Sequence, residues 1–259
     1  LRLPGVVART FHAAALLQLR HFWPARHGGE AAPAVLESKT PILVPLIRGL
    51  PGGYRFTPVK DVADEIEWAK SRRLTPRTYE PAAAAQFRDS PIPADLFGAL
   101  WAGYERAKDR AGRLDFDDML VRTVELLEAD DDAAAAVRSR YAWFSVDEYQ
   151  DTSPLQQRLL ELWLGPRDDL CVVGDEDQTI YTFTGASPRY LTSFRERFAD
   201  ATEVRLVRCY RSTPEIVGLA NGLRRDYRQR VSGHHVDDPQ PIIPPCACRF
   251  RHNCFLLRA

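Results

Sequence analysis

The stretch Trp143-Phe144-Ser145-Val146-Asp147-Glu148-Tyr149-Gln150-Asp151-Thr152 decides the fold, because largely apolar residues run directly into two adjacent carboxylates. A second such unit follows at Leu170-Cys171-Val172-Val173-Gly174-Asp175-Glu176-Asp177-Gln178-Thr179. Short apolar runs that end in acidic residues are typical of buried parallel strands. Ligands bind at the carboxyl edge of open α/β sheets, so both acidic tips are expected at a ligand site. An Asp-Glu pair there suits Mg²⁺ and nucleotide chemistry, in which one carboxylate holds the hydrated metal and the other takes a proton from water.

Four segments, taken in order, resemble motifs of one protein family. Arg9-Thr10-Phe11-His12 resembles motif Ia, and residues 147–152 resemble the Walker B element, motif II, of UvrD/Rep/PcrA-type superfamily 1 DNA helicases. Residues 174–186 resemble motif III, and Leu206-Val207-Arg208-Cys209-Tyr210-Arg211-Ser212 resembles motif IV. One Asp-Glu pair is weak evidence, whereas the ordered set over residues 1–223 is specific. The many arginines and alanines, with only four lysines, suggest a GC-rich genome and hence an actinobacterial-type UvrD.

Composition sets broad limits on the protein class. The length of 259 residues allows one large domain or two, and 45% hydrophobic with 27% charged residues is typical of a soluble globular protein. We find no signal peptide and no apolar stretch long enough to cross a bilayer, which predicts a cytoplasmic protein with no membrane partner. The net charge of zero means that any nucleic-acid binding depends on local patches.

The resemblance implies an α/β fold, with an incomplete RecA-like (P-loop NTPase) parallel-sheet domain and a mostly helical inserted subdomain. Residues 1–40 would form the first part of RecA-like domain 1A, and residues 41–112 the helical insertion 1B. Residues 113–223 would form the second part of domain 1A with motifs II, III and IV. Residues 224–259 are atypical for the family, and we expect a disordered tail there.

Local patterns predict several elements. Apolar residues at helical spacing indicate helices at 13–23, 59–70, 94–110 and 155–164, and residues 5–9 are expected to form a strand. Residues 24–60 are rich in Pro and Gly and have poor periodicity. Asp130-Asp131-Asp132 before four alanines predicts a helix cap and first turn rather than a metal site. Cys246, Cys248, His252 and Cys254 have zinc-ligand chemistry, but their irregular spacing disfavours a zinc site.

The resemblance assigns roles around the nucleotide. Asp147 would hold Mg²⁺ and Glu148 would activate the hydrolytic water, whereas the alternative for this pair is an acidic helix start after a strand. Gln178 would contact the γ-phosphate of ATP, because an amide donates and accepts without changing charge. Arg211 would neutralise charge developing on the γ-phosphate, and Tyr210 would stack on the adenine ring. The alternative for Arg211 is a surface arginine near a helix start.

The resemblance also places single-stranded DNA across the same domain. Phe11, His12, Tyr181 and Phe183 are the candidates for stacking on bases, an interaction that tolerates any sequence and is worth about 1–3 kcal/mol per base. The alternative for each is an ordinary core aromatic residue. Thr10 would either bind a phosphate or cap the helix behind it.

The chain also departs from the family pattern. The Gly-rich loop that ends in Lys-Ser/Thr and cradles phosphates is not found, and no Gly-Lys pair occurs. Motifs V and VI are not found either, Cys209 stands where asparagine is usual, and Thr184 where many relatives have arginine. We therefore expect a fragment that covers motifs Ia to IV and that alone neither hydrolyses ATP appreciably nor unwinds DNA.

The implied family function is ATP-driven 3′→5′ translocation on single-stranded DNA with unwinding of 3′-tailed duplex DNA, typically in DNA repair. ATP and Mg²⁺ are its cofactors. One alternative is a non-catalytic DNA-binding or regulatory remnant of such a helicase, which the retained motif II, III and IV residues disfavour. Another is the motor portion of a helicase–nuclease of the RecB or AddA type, which requires a nuclease domain that we do not find. An α/β domain with coincidental motifs conflicts with four ordered matches.

Overall fold

The computed structural model describes residues 6–179, 185–206, 212–232 and 254–258. The helices within these ranges are α1 Phe11–Arg26, α2 Thr40–Arg48, α3 Val59–Ser71, α4 Tyr79–Ala85, α5 Ala94–Arg110, α6 Asp118–Ala129, α7 Asp131–Arg140, α8 Pro154–Leu164, α9 Arg189–Thr192, α10 Phe194–Arg197 and α11 Pro214–Ser232. The strands are β1 Ala34–Val35, β2 Arg113–Leu114, β3 Phe144–Val146, β4 Leu170–Gly174, β5 Thr202–Leu206 and β6 Cys254–Arg258. Short 3-10 turns occupy Gly52–Phe56, Tyr149–Asp151 and Glu176–Gln178.

The described strands form two parallel sheets. β1 pairs with β2, and the larger sheet has the order β3-β4-β6-β5 with every neighbouring pair parallel. β3 and β4 pair in register from Phe144 opposite Leu170 to Val146 opposite Val172. The two acidic segments therefore leave the sheet at the same edge. The predicted α/β class with parallel strands is confirmed.

Helix α8 connects β3 to β4, and side chains at its N-terminus cap its first turn. Ser153 accepts a hydrogen bond from the Gln156 backbone, and the Gln156 side chain accepts one from the Ser153 backbone. Pro154 occupies the first turn, where its missing N–H leaves no hydrogen bond unmade. Leu155, Leu159 and Trp163 are buried in the hydrophobic interior of the protein. The cap and the apolar face together explain why the predicted helix forms here.

The hydrophobic interior is divided into two clusters of buried residues. The first joins α1, α6, α7 and α8 to the larger sheet, with Leu19, Val124, Leu159 and Val172 among its fully buried members. The second is formed by α2 to α5 and comprises Leu43, Ile47, Val62, Ile66, Trp68, Ala69, Tyr79, Ala83, Ile92, Phe97, Leu100, Trp101 and Tyr104. This second cluster lies within residues 41–112, although the boundaries of the insertion stay a prediction.

A buried group of five charged side chains lies between these two parts, and we call it the lysine cluster: Lys70, Glu105, Lys108, Asp115 and Asp118. The Lys70 ammonium lies 2.6 Å from Asp115 Oδ2, 2.8 Å from Asp118 Oδ1 and 2.9 Å from Glu105 Oε1. Lys108 contacts the same three carboxylates and is fully buried. Helices α3 and α5 supply both lysines, Asp118 is the first residue of α6, and Asp115 lies between β2 and α6. The cluster therefore ties the helical part to the sheet-containing part.

Burial and charge act in opposite directions on the pKa values of the lysine cluster. Burial lowers the pKa of Lys70, but Asp115, Asp118 and Glu105 outweigh it and hold that pKa well above its usual value. Burial raises the pKa of Asp115, but Lys70 and Lys108 outweigh it and hold that pKa well below its usual value. Lys70, Asp115 and Glu105, whose pKa is also lowered by the two lysines, are therefore charged in the folded protein near neutral pH.

One prediction about secondary structure is wrong, and one helix forms without a clear signal in the sequence. The described part of the predicted strand 5–9 has no regular structure and is exposed, because no described neighbouring strand completes its hydrogen bonds. Helix α2 forms inside residues 24–60, the segment with poor periodicity. Pro41 lies in its first turn, where proline is tolerated, and buried Leu43 and Ile47 supply the packing.

The prediction of a disordered tail from residue 224 is also wrong for the residues described there. Helix α11 continues to Ser232, and β6 lies between β4 and β5 in the larger sheet. Sequence patterns missed β6 because its partners lie far away in the chain. No helix in the described ranges is both long enough and apolar enough to cross a membrane.

Candidate functional site

Polar side chains at the carboxyl end of β3 and β4 are joined in one hydrogen-bonded chain. Gln150 Nε2 donates to Glu148 Oε2 at 2.8 Å, and Gln150 Oε1 accepts from the backbone N–H of Asp175 at 3.0 Å. Gln178 Nε2 then donates to Asp175 Oδ2 at 2.7 Å. The structure therefore brings the sequence-predicted residues Glu148 and Gln178 into one network. We call Asp147, Glu148, Gln150, Asp175 and Gln178 the acidic edge.

The backbone at Glu148 is held in an unusual conformation. Its φ of 51° and ψ of 43° lie in the left-handed region, which is uncommon for a residue other than glycine. The Glu148 N–H donates to Asp147 Oδ1 at 3.0 Å, so the preceding carboxylate helps to hold this turn. Such conformations cost about 1–3 kcal/mol and cluster at functional sites. Both Asp147 and Glu148 are exposed at this turn.

The backbone at Gly174, the last residue of β4, lies so close to the Gln150 side chain that it leaves no space for a Cβ atom. A Cβ atom at this position would lie 2.6 Å from Gln150 Oε1 and 3.0 Å from Leu191 Cδ2. Gln150 is only 1% exposed, so its side chain has no free space into which it can move. The glycine therefore allows the amide of Gln150 to bridge the two acidic segments.

Sequence reasoning did not single out Gln150 or Asp175. Both lie inside the quoted motif segments, but their motif positions alone do not show that they contact each other. The available signal was the residue type, since an amide is an uncharged side chain that can both donate a hydrogen bond to a carboxylate and accept one from a backbone N–H. Their burial and mutual contact emerge only from the pairing of β3 with β4.

The donor set of the acidic edge fits a hydrated Mg²⁺ ion. Mg²⁺ keeps several waters and uses one or two carboxylates together with phosphate oxygens. Exposed Asp147 beside exposed Glu148 provides such a set. A second group, Glu105, Asp115 and Asp118, has ligand atoms within 4.8 Å of one another. This group does not fit a metal ion, because the buried Lys70 and Lys108 ammonium groups already neutralise it.

A stacked pair of rings lies next to a cavity on another face of the molecule. The rings of His12 and Phe116 lie 3.9 Å apart, nearly parallel, and Phe116 is 55% exposed. His12 also lines a cavity of about 200 Å³, together with Glu67 from α3 and Asp117. Burial lowers the pKa of His12 below its usual value, and nearby Asp117 only partly opposes this shift. His12 is therefore neutral at pH 7.

Phe116 is a candidate contact that sequence reasoning missed. It lies within Asp115-Phe116-Asp117-Asp118, a segment that sequence patterns predict only as an acid-rich helix start. The sequence signal for this contact was a large aromatic residue between aspartates at a helix N-terminus. A residue in such a position is usually exposed. Its exposed face can receive a stacked ring, which makes it suitable for a nucleic-acid base.

The two remaining described candidates have structural contacts. Thr10 caps α1, since its hydroxyl oxygen accepts from the Ala13 backbone N–H at 3.2 Å. Phe11 stacks on Trp163 with 5.6 Å between ring centroids and packs against the first core. These contacts correspond to the structural alternatives that the sequence left open. The DNA roles of Thr10 and Phe11 stay predictions.

Four predicted site residues lie outside the described part of the chain: Tyr181, Phe183, Tyr210 and Arg211. The segment that follows the first two is fixed at Gly185, where φ is +99°. A Cβ atom at Gly185 would lie 2.1 Å from Ser71 Oγ, so the backbone lies directly against α3. Ala186, the next residue, lines the same cavity as His12. The end of motif III is therefore adjacent to the cavity.

Comparison with known proteins shows which family the chain belongs to. A family model for the UvrD/REP helicase N-terminal domain matches residues 4–199. The chain is 48% identical over 232 residues to the ATP-dependent DNA helicase UvrD2 of Mycobacterium tuberculosis (strain ATCC 25618 / H37Rv). This match covers 88% of this chain and 33% of that protein. The UvrD2 of Mycobacterium bovis matches to the same extent.

A more distant relative is the ATP-dependent DNA helicase PcrA of Staphylococcus aureus (strain NCTC 8325 / PS 47), at 31% identity over 183 residues. That match covers 66% of this chain and 25% of PcrA. The chain thus spans about a third of the length of the mycobacterial proteins that it resembles. With most of its residues inside the family match, the chain belongs to the UvrD/REP helicase family, in the N-terminal domain of that family.

Proposed function

We propose that this chain forms the RecA-like part, with its helical insertion 1B, of a 3′→5′ DNA helicase that acts in DNA repair. In this proposal, ATP hydrolysis drives translocation on single-stranded DNA and unwinding of 3′-tailed duplex DNA. The observation that supports it most is the hydrogen-bonded chain from Glu148 through Gln150 and Asp175 to Gln178. It joins the proposed water-activating carboxylate to the proposed γ-phosphate contact.

The residues of the acidic edge divide the chemistry between them. Asp147 would hold a Mg²⁺ ion, which when bound would neutralise charge on the phosphate oxygens. Glu148 takes the proton from the attacking water, and the Gln150 amide fixes the orientation of that carboxylate. Gln178 contacts the γ-phosphate, and its hydrogen bond to Asp175 links this contact through Gln150 to Glu148. Arg211 and Tyr210 contact the γ-phosphate and the adenine ring.

The stacked pair His12–Phe116 and the adjoining cavity form the proposed surface for single-stranded DNA. Stacking on an exposed ring is independent of base identity, which suits a translocating motor. The neutral state of His12 leaves stacking rather than charge as its contribution at pH 7. Tyr181 and Phe183 extend this surface in the proposal.

A chimeric protein tests the proposed role of Glu148 in ATP hydrolysis. The 232-residue segment of UvrD2 from M. tuberculosis that matches this chain is replaced by the matching segment of this chain, and DNA-dependent ATP hydrolysis is measured. We expect the chimera to hydrolyse ATP and Glu148→Gln to lower kcat by about a hundredfold or more. Asp168→Asn is the matched control, because Asp168 lies at the opposite end of β4 and its change should leave kcat unaltered.

Hydrolysis by the chimera that persists at full rate with Glu148→Gln contradicts the proposal. An inactive chimera whose segment still binds DNA favours the non-catalytic DNA-binding alternative. The 259 residues by themselves contain no Gly-Lys pair, so we expect them to show no ATP turnover above background. Robust turnover that is abolished by Glu148→Gln in this polypeptide would show that expectation to be wrong.

Fluorescence anisotropy with a labelled oligonucleotide tests the DNA surface. Phe116→Ala should weaken binding of single-stranded DNA about tenfold, the loss expected for one stacked base. Phe87→Ala is the control, because Phe87 is an even more exposed aromatic residue in the helical part. Equal losses in both variants would argue against a specific role for Phe116.

A further inference from the structure

Two arginine side chains lie over the ring of Trp68, a residue of α3 that is 2% exposed. The guanidinium carbon of Arg88 lies 4.5 Å from the centre of this ring, and that of Arg72 lies 4.9 Å from it. Arg72 directly follows the last residue of α3, and Arg88 lies between α4 and α5. The ring of Trp68 therefore holds two positive charges close to each other.

The two arginines differ in how their charge is balanced. Arg88 donates to the buried carboxylate of Glu65 from Nη2 at 2.8 Å and from Nε at 3.1 Å. Arg73, the next residue after Arg72, pairs with Glu128 at 2.7 Å. Within the described ranges no carboxylate pairs with Arg72, and its Nε is buried without a hydrogen-bond partner. Arg72 thus carries a charge that no described side chain balances, unlike Arg73 and Arg88.

The position of Arg72 is unfavourable for its charge. Burial lowers the pKa of Arg72, and the nearby charge of Arg88 lowers it further. A buried N–H without a partner is also destabilising. The structural alternative is that Arg72 stabilises α3 as a cation after the C-terminal end of the helix. An anion at the half-buried guanidinium would offset the unfavourable terms, because it would supply the opposite charge that the described residues do not.

Arg72 adjoins the surface proposed for single-stranded DNA. Ser71, the residue before it, lines the same cavity as His12 and lies directly against Gly185 at the end of motif III. His12 in turn stacks on the exposed ring of Phe116. A DNA strand along this cavity carries one phosphate per nucleotide, so its backbone passes the end of α3. The planar fork of an arginine matches phosphate oxygens, which makes phosphate the anion that suits this position.

We propose that Arg72 binds a backbone phosphate of single-stranded DNA, an inference that rests on the DNA surface proposed above. Contacts to phosphate fix the position of the strand without reading its sequence. The ring of Trp68 holds the guanidinium in place, so little side-chain freedom is lost when DNA binds. Arg72 therefore complements Phe116: the arginine contributes charge, and the phenylalanine contributes stacking.

The salt dependence of DNA binding tests this role with the full chain. Fluorescence anisotropy with a labelled oligothymidylate gives the binding constant K between about 50 and 200 mM salt. Loss of one phosphate contact should reduce the steepness of log K against log salt concentration by about 0.7. We expect this reduction in Arg72→Gln and also in Arg72→Met, which keeps an apolar stem on Trp68. Arg73→Gln is the matched control, because it removes the same charge from the next residue and should leave the slope unaltered.

Stacking and charge are separated by the same measurement. Phe116→Ala should weaken binding at every salt concentration without changing the slope, because a stacked base releases no counterions. Urea unfolding tests the structural alternative for Arg72. Since no described carboxylate pairs with Arg72, its replacement by Gln should leave the unfolding midpoint unaltered or raise it. A lower midpoint together with an unaltered slope would assign Arg72 to the structure alone and overturn the inference.

The remaining outcomes distinguish this inference from the proposed function. If DNA binds and the slope is the same in Arg72→Gln, Arg72→Met and the unaltered chain, the phosphate contact is overturned while the DNA surface stands. If Arg73→Gln reduces the slope as much as Arg72→Gln, the effect is one of general charge, which also overturns the contact. If the unaltered chain binds no single-stranded DNA, the proposed DNA surface fails and the phosphate contact fails with it.

Discussion

The lysine cluster and the acidic edge both bring together carboxylates from separate elements, but they differ in burial and in their partners. In the lysine cluster, Asp115 is 1% exposed and two buried lysines face it. At the acidic edge, Asp147 and Glu148 are exposed, and the hydrogen bond described for the Glu148 carboxylate comes from the Gln150 amide. A set of carboxylates that is paired with its own buried lysines stabilises the fold. Exposed carboxylates oriented by amides suit a cation that comes and goes with a nucleotide.

The physical basis of this difference is the cost of moving charge out of water. A buried carboxylate without a counter-ion is strongly unfavourable, so Lys70 and Lys108 are required wherever Asp115 and Asp118 are buried. Amides add no charge, so they orient Glu148 and Asp175 without neutralising them. The same residue type thus stabilises the fold in one region and remains suited to chemistry in the other.

The largest expected effect is on the lysine cluster. Lys108→Met should lower the free energy of unfolding by about 3–5 kcal/mol, because it leaves three carboxylates with one lysine in a buried site. Urea unfolding followed by circular dichroism measures this change. Lys60→Met removes a surface lysine that pairs with Asp64 on the exposed side of α3, and it should have no measurable effect. Equal stability of the two variants would show that the cluster is not structural.

A smaller effect is expected at the acidic edge. Gly174→Ala places a methyl group against Gln150 Oε1 and should lower the free energy of unfolding by about 1–3 kcal/mol. It should also displace Gln150 from Glu148, so kcat of the UvrD2 chimera should fall. Gly218→Ala in α11 is the control, because nothing lies within 4 Å of its added Cβ. That control should be neutral or stabilise the chain by up to about 1 kcal/mol.

If the Gly174→Ala and Gly218→Ala variants have the same free energy of unfolding, the close contact with Gln150 does not require a glycine at position 174. If it lowers stability but leaves kcat unchanged, Gln150 supports packing alone. Differential scanning calorimetry and steady-state ATP hydrolysis by the chimera separate these outcomes. Together the two substitutions test whether the amide bridge is part of the site or only of the core.

Elements with local signals were predictable from the sequence. Helix α5 has the predicted bounds, Ala94–Arg110, because its apolar positions repeat at helical spacing. The cap at Asp130 is confirmed, since its Oδ1 accepts from the Ala133 N–H at 2.9 Å. The strands β3 and β4 were visible as apolar runs that end in acids.

Contacts between distant residues were not predictable in this way. Lys70 and Asp115 are 45 positions apart, and Gln150 and Asp175 are 25 apart. Local propensity contains no information about such pairs, because each depends on how separate elements pack. The same reason explains why β6, whose partners begin at Cys171, was mistaken for part of a disordered tail. The sequence identified the acidic residues, while the fold determined which of them face buried lysines.

The smallest effect concerns His12, a buried ionisable residue that belongs to neither of the two regions compared above. Burial lowers the pKa of His12 in the folded chain, so the unfolded chain binds its proton first as the pH falls. Stability should therefore decrease below about pH 6.5, by at most about 1.4 kcal/mol per pH unit for one proton. His12→Phe keeps a ring on Phe116 but cannot titrate, so its unfolding free energy should change less between pH 6.5 and 5.5. Nearby Glu67, whose pKa is raised by burial, and Asp117 also face this cavity. Protonation of Glu67 would leave a pH dependence that His12→Phe does not remove, and this outcome would assign the effect to that carboxylate.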